Sequence, residues 1–95
     1  MRIGSHIELT TTDTGCMVAV WDTELSDFLD DYFTDKDLDP QVAFPCEPFT
    51  SYRFYFGSEI THAAILTLLQ QLDLTEVDRI YLLNNSQPTG SARDA

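Results

Sequence analysis

The apolar and polar residues near the start of the chain alternate with a period of two. Residues 7–12 place Ile7 and Leu9 on one side and acidic or hydroxyl side chains on the other, which predicts a half-buried β-strand. Asp13-Thr14-Gly15 follows and predicts a three-residue hairpin loop with glycine in the left-handed conformation. The return strand, 16–21, is apolar on both faces, so we expect it in the interior of a sheet.

The period then changes to that of a helix. Apolar residues recur three or four positions apart and form one stripe, made of Leu25, Phe28, Leu29, Tyr32 and Phe33. Asp22 or Thr23 is a good N-cap for such a helix, and we expect the helix to end near Thr34. The spacing therefore predicts an amphipathic first helix.

The second half of the chain predicts one more helix between two strands. After an irregular, proline-containing connection over 35–50, with a short edge strand at Val42 to Phe44, the aromatic-rich residues 51–57 predict a strand. Ser58 is a candidate N-cap for a helix over about 59–72. Residues 79–83 predict a last strand.

The predicted order of elements is ββαβαβ. It indicates an α+β domain over 1–83, with two helices packed on one face of a four-stranded mixed sheet. Residues 51–83 would form a right-handed parallel crossover, and the polar residues 84–95 a mobile tail. The order differs from the βαββαβ order of the common single-stranded-RNA-binding module.

The charge of the chain is strongly acidic and unevenly distributed. The sequence has 16 acidic and 5 basic residues, for a net charge of −11. Residues 22–47 contain nine carboxylates and one cation, Lys36, so this segment alone carries −8. Helical spacing places most of the carboxylates opposite the apolar stripe or just after it: Glu24, Asp27, Asp30, Asp31, Asp35, Asp37 and Asp39.

Repulsion between neighbouring carboxylates makes this arrangement costly. Each pair of like charges three or four residues apart destabilises a helix by about 0.2–0.5 kcal/mol, so these pairs together cost roughly 1–2 kcal/mol. Carboxylates near the C-terminus of the helix also oppose its dipole. Two interpretations remain open: a solvated face that keeps the protein soluble, or a face shaped to meet a basic surface.

The same charge balance excludes several classes of partner. Phosphate contacts need Lys and Arg, so direct binding of nucleic acid or of an anionic membrane is disfavoured. The longest apolar run, Ala63 to Leu66, is far too short for a membrane span, and without an N-terminal signal pattern we expect a cytoplasmic protein. Cys16 and Cys46 are expected to be free thiols, Cys16 buried in a strand.

Two short motifs resemble functional sites, but the residues around them do not fit those sites. Asp13-Thr14-Gly15 matches the aspartic-protease tripeptide, but the preceding strand is polar, so a hairpin turn is favoured. Residues 35–39 begin like a calcium loop, but Pro40 stands where glycine is required and Cys46 where glutamate is required. We therefore expect no enzyme, no cofactor and no dedicated metal site.

Large aromatic residues are concentrated between Phe44 and Phe56. Most of these rings can be explained as core residues or as residues that pack against the long loop. The functional alternative is that Tyr55, Phe44 or Phe49 anchors an interface beside the acidic helix, because interface centres favour aromatic residues.

These features predict a non-catalytic inhibitor that blocks the basic nucleic-acid-binding surface of a partner protein. In size and charge, though in no motif, the chain resembles nucleic-acid mimics of the anti-CRISPR and anti-restriction type and nuclease-toxin immunity proteins. The predicted partner-binding residues are Glu24, Asp27, Asp30, Asp31, Asp35, Asp37, Asp39 and Tyr55. The alternatives are a small adaptor or oligomeric subunit, homodimers included, that uses the aromatic face, and halophilic adaptation.

Overall fold

A single antiparallel sheet forms the centre of the fold. The computed structural model describes residues 1–47 and 50–90, with the backbone alone for 85–90. Its strands are β1 (Arg2–Ile3), β2 (Ile7–Thr12), β3 (Gly15–Val20), β4 (Gln41–Ala43) and β5 (Tyr52–Gly57). They lie in the order β1-β2-β3-β5-β4, and every neighbouring pair is antiparallel. The helices are α1 (Thr23–Asp35), α2 (His62–Gln70) and α3 (Leu74–Gly90).

The predicted hairpin is confirmed, with a tighter turn than expected. Thr12 pairs with Gly15, so two residues, and not three, form the loop. Gly15 has φ +156°, outside the left-handed helical region that we predicted for it. A Cβ there would overlap the carbonyl oxygen of Phe56 and lie 2.8 Å from the carbonyl carbon of Gly57. Glycine is needed because β5 runs close beside β3 at this position.

The apolar strand β3 lies between β2 and β5, as its two apolar faces predict. Cys16, Val18 and Val20 are fully buried on the face that meets the helices. Phe54 and Phe56 of β5 continue this face, because they pair with Val18 and Cys16. The inner face of the sheet is therefore a continuous apolar layer.

The first helix packs its apolar stripe on this layer. Leu25, Leu29 and Phe33 are buried, whereas Phe28 and Tyr32 are partly buried at the edges of the stripe. The Phe33 ring meets the rings of Phe54 and Phe56 edge-on, with centroid distances of 5.5 and 5.0 Å. Aromatic pairs favour this geometry, so the predicted stripe is confirmed as the contact between helix and sheet.

The second helix begins later than predicted. Thr61, and not Ser58, is its N-cap, since the Thr61 side chain accepts a hydrogen bond from the Ala64 amide at 3.1 Å. The intervening residues turn, with the Ile60 amide donating to the Gly57 carbonyl at 3.3 Å. The Tyr32 hydroxyl donates to the Leu68 carbonyl at 2.7 Å and ties α2 to α1.

The predicted last strand, 79–83, is wrong, because these residues belong to α3. Asp73 starts this helix: its side chain accepts hydrogen bonds from the amides of Thr75 and Glu76 at 3.0 and 3.3 Å. Val77 is buried and Ile80 and Tyr81 pack beside it, at helical spacing. With this strand absent, the described strands include no parallel pair, so the predicted mixed sheet and crossover are corrected to an antiparallel sheet.

Two further observations concern the ends of the chain. The strand β1, which the sequence did not predict, adds Ile3 to the core and makes the sheet five-stranded within the described residues. Of the predicted tail 84–95, residues 84–90 continue the backbone of α3, and 91–95 lie outside the described residues. The α+β class is confirmed, and the predicted edge strand is present at Gln41–Ala43.

Candidate functional site

One side of α1 carries a row of carboxylates, here called the acidic face, made of Glu24, Asp27, Asp30, Asp31 and Asp35. All of them are exposed to solvent. At about 100° per residue, four of the five lie within an arc of about 80°, and Asp30 flanks them. The buried stripe of α1 lies on the opposite side, so the packing of the helix fixes the direction in which the acidic face points.

The cations that the structure describes do not neutralise the acidic face. Lys36 lies over the Tyr32 ring, with its Nζ 5.5 Å from the ring centroid. Arg79 is hydrogen-bonded to Glu76 on α3, which lowers the pKa of the Glu76 carboxyl. Among residues 1–47 and 50–90, no ion pair within 4.0 Å involves a carboxylate of the acidic face.

Asp22 has a structural role instead. It is only 4% exposed, and its side chain accepts a hydrogen bond from the Leu25 amide at 3.1 Å, which caps α1. The other carboxylate oxygen accepts from the Asn84 side-chain amide at 2.7 Å. Asp22 therefore joins the N-terminus of α1 to α3 and is separate from the acidic face.

The other three predicted site residues, Asp37, Asp39 and Tyr55, line adjoining grooves that begin beyond the C-terminus of α1. Glu59 lines these grooves too, although no pattern in the sequence pointed to it. Tyr55 alternates with residues that face α1, so its side chain lies on the other face of the sheet. The structure thus groups the predicted residues into two surfaces, the acidic face and these grooves.

Asp37 occupies a position that favours glycine. Its φ is +62°, and it follows the last turn of α1, where the Leu38 amide donates to the Phe33 carbonyl at 2.9 Å and the Asp37 amide to the Thr34 carbonyl at 3.0 Å. This is a Schellman-type helix end, at which glycine avoids the strain of the left-handed conformation. A carboxylate there also opposes the helix dipole.

We predict that Asp37→Gly raises the free energy of unfolding by about 0.5–1 kcal/mol, because it relieves backbone strain and removes an anion from the helix C-terminus. Urea unfolding measures the change. Asp37→Asn is the matched control, since it removes the charge but keeps a side chain, and we expect a smaller gain, about 0.3 kcal/mol. A less stable Asp37→Gly protein would show that the Asp37 side chain contributes to folding.

The aromatic residues of the predicted interface lie in different environments. Phe54 and Phe56 are core residues, and Tyr55 is half-buried. Phe44 is 67% exposed and meets the Tyr52 ring edge-on at 6.0 Å. Phe49 lies outside the described residues.

Three other features of the described part of the chain bear on function: possible metal ligands, the Cys16 thiol and the length of the helices. In residues 1–47 and 50–90, no three His, Cys, Asp or Glu side chains are placed to hold a metal ion. Cys16 is a buried free thiol, as predicted, and its burial raises its pKa, which keeps it protonated. None of the described helices is long and apolar enough to cross a membrane.

Comparison with known proteins finds no matching protein family, no curated protein of similar sequence and no solved structure of similar fold.

Proposed function

We propose that this protein is a non-catalytic inhibitor whose acidic face binds the basic nucleic-acid-binding surface of a partner protein. The observation that carries the proposal is the exposed row of carboxylates on α1, held in one direction by the buried stripe and neutralised by no ion pair with a described cation. The helix dipole favours Glu24 in the first turn of α1, but the row as a whole is unfavourable for folding, because its members repel one another.

The spacing of the row suits a surface that binds phosphates. Carboxylates three or four residues apart on a helix are separated by about 4.5–6 Å along its axis. Phosphates of one DNA strand follow one another at about 3.4 Å along the duplex axis, so the two charge densities are of the same order. A lysine- and arginine-lined site on a partner would meet a similar series of anions in either case.

The total charge supports the same partner chemistry. A net charge of −11 on 95 residues creates a long-range negative field. Such a field speeds the encounter with a basic protein, and the attraction weakens as salt rises. Solubility alone accounts less well for the row, because eight of the eleven net negative charges lie in residues 22–47.

A small adaptor or oligomeric subunit is the second candidate. One observation favours it: Phe44, which directly follows the short edge strand β4, is 67% exposed. Binding through this ring would bury apolar surface, and it would therefore persist in high salt. Salt dependence separates the two candidates.

The test is affinity capture from the native cell with the immobilised protein, at about 50 mM and then about 500 mM salt. These concentrations correspond to Debye lengths of roughly 14 and 4 Å. We expect a basic, nucleic-acid-binding protein to be retained at low salt and released at high salt. A specific partner that remains bound at high salt would contradict the proposal and favour the adaptor.

A further inference from the structure

A groove lies between the N-terminal turn of α1 and the middle of α3. Its described lining residues are Glu24, Ile80, Leu83 and Asn84, and its volume is about 280 Å³. Leu83 is 50% exposed, so the groove has an apolar wall that is open to solvent. Glu24 belongs to the acidic face, and the groove therefore borders the surface that we propose to meet a basic partner.

Two hydrogen-bond acceptors stand beside the apolar wall. The Glu24 carboxylate is exposed and forms no ion pair with a described cation. The Asn84 side-chain amide donates through its nitrogen to Asp22 at 2.7 Å, and this bond holds the side chain at the α1–α3 junction. No donor among the described side chains reaches its carbonyl oxygen, which can therefore accept a hydrogen bond. The groove thus combines a carboxylate, an amide oxygen and two aliphatic side chains.

We propose that this groove receives an arginine side chain of the basic partner, an inference that rests on the proposed function. The aliphatic stem of arginine would lie along Ile80 and Leu83, as long cationic side chains do on apolar surfaces. Its planar guanidinium has five donors and can meet the Glu24 carboxylate and the Asn84 carbonyl oxygen together. The ammonium of lysine is a compact, strongly hydrated charge that matches two separated acceptors less well.

The test is an NMR titration of the whole protein with the peptide Gly-Gly-Arg-Gly-Gly, and with the same peptide carrying citrulline or lysine. Citrulline keeps the length and shape of arginine but lacks its charge. We expect saturable shifts of the amide signals of Glu24, Ile80, Leu83 and Asn84 with the arginine peptide, smaller shifts with lysine and none with citrulline. Equal shifts with citrulline or lysine would overturn the assignment.

Two variants locate the binding. Leu83→Lys places a competing ammonium in the groove and is expected to weaken arginine binding about tenfold or more, the scale of a 1.4 kcal/mol change. Thr75→Lys is the matched control, because it adds the same charge to an exposed position on α3 outside the groove, and it should change binding by less than about twofold. Equal losses in both variants would overturn the proposal.

Other outcomes separate a failure of the groove assignment from a failure of the proposed function. Shifts spread along the acidic face without the groove signals would overturn the groove and leave the proposed function standing. Groove binding by the arginine peptide, together with no salt-sensitive partner in the capture experiment, would mean that the proposed function fails on its own. If the protein binds none of the peptides, the groove does not receive an arginine side chain and the proposal is overturned.

Discussion

The double variant Asp27→Lys/Asp31→Lys will weaken binding to the captured partner by about 100-fold or more. Both positions lie in the middle of the acidic face and are exposed. Each lysine replaces an attraction to the basic partner by a repulsion, and about 2.8 kcal/mol over the two positions is enough for a 100-fold loss. The fold will persist, because new pairs with Glu24, Asp30 and Asp35 replace repulsions along α1.

The matched control is Asp13→Lys/Glu47→Lys, which changes the net charge by the same amount at two exposed positions outside α1. Binding measured by titration calorimetry at low salt should fall far less than in the α1 variant. Equal losses would mean that total charge, and not the acidic face, holds the partner. Undiminished binding by the α1 variant would end the proposal, provided its circular dichroism matches the parent.

Phe33→Ala will lower the free energy of unfolding by about 3–5 kcal/mol, the usual cost of truncating a buried phenylalanine. The Phe33 side chain has 0% exposure and contacts both Phe54 and Phe56, so its removal leaves a cavity between α1 and the sheet. A domain of this size is stable by only about 5–15 kcal/mol in total. Partial unfolding at physiological temperature is the expected consequence.

Phe28→Ala is the comparison for this prediction. Phe28 belongs to the same apolar stripe but is only partly buried, so its truncation should cost roughly half as much. Urea unfolding followed by circular dichroism measures both changes. A larger cost for Phe28→Ala than for Phe33→Ala would mean that α1 is rotated about its axis, and the acidic face would then point elsewhere.

The first helix and its two faces followed from the sequence because local signals agreed with the packing. The period of the apolar stripe and the Asp22 N-cap both predict the same helix, and its buried residues are those of the stripe. The central position of β3 followed in the same way, from the apolar residues on both of its faces. Such agreement between local pattern and tertiary contact is what makes an element predictable.

The third helix could not be recognised in this way. The apolar residues 80–83 suit a buried strand as well as a helix, and periodicity does not separate the two over so short a run. Distant contacts settle the matter: the His6 ring stacks on Tyr81 at 3.9 Å, and Asn84 bonds to Asp22, 62 positions earlier in the chain. The two-residue strand β1 is too short to show any period.

The candidate site was predictable as far as it lies on α1. The exposure of Glu24, Asp27 and Asp31 follows from helical spacing alone. The neighbours of Tyr55 depend on the pairing of β5 with β3 and β4, and the groove beside Glu24 depends on where α3 crosses α1. These are relations between distant segments, which a local pattern does not contain.

The most direct measurement of the central claim is competition for the captured partner between this protein and a labelled nucleic acid. Fluorescence anisotropy of the label would be followed while the protein, or its Asp27→Lys/Asp31→Lys variant, is added. If the acidic face occupies the nucleic-acid-binding surface, the parent displaces the label completely and the variant does not. A stable complex that contains the partner, the nucleic acid and this protein together would contradict the claim.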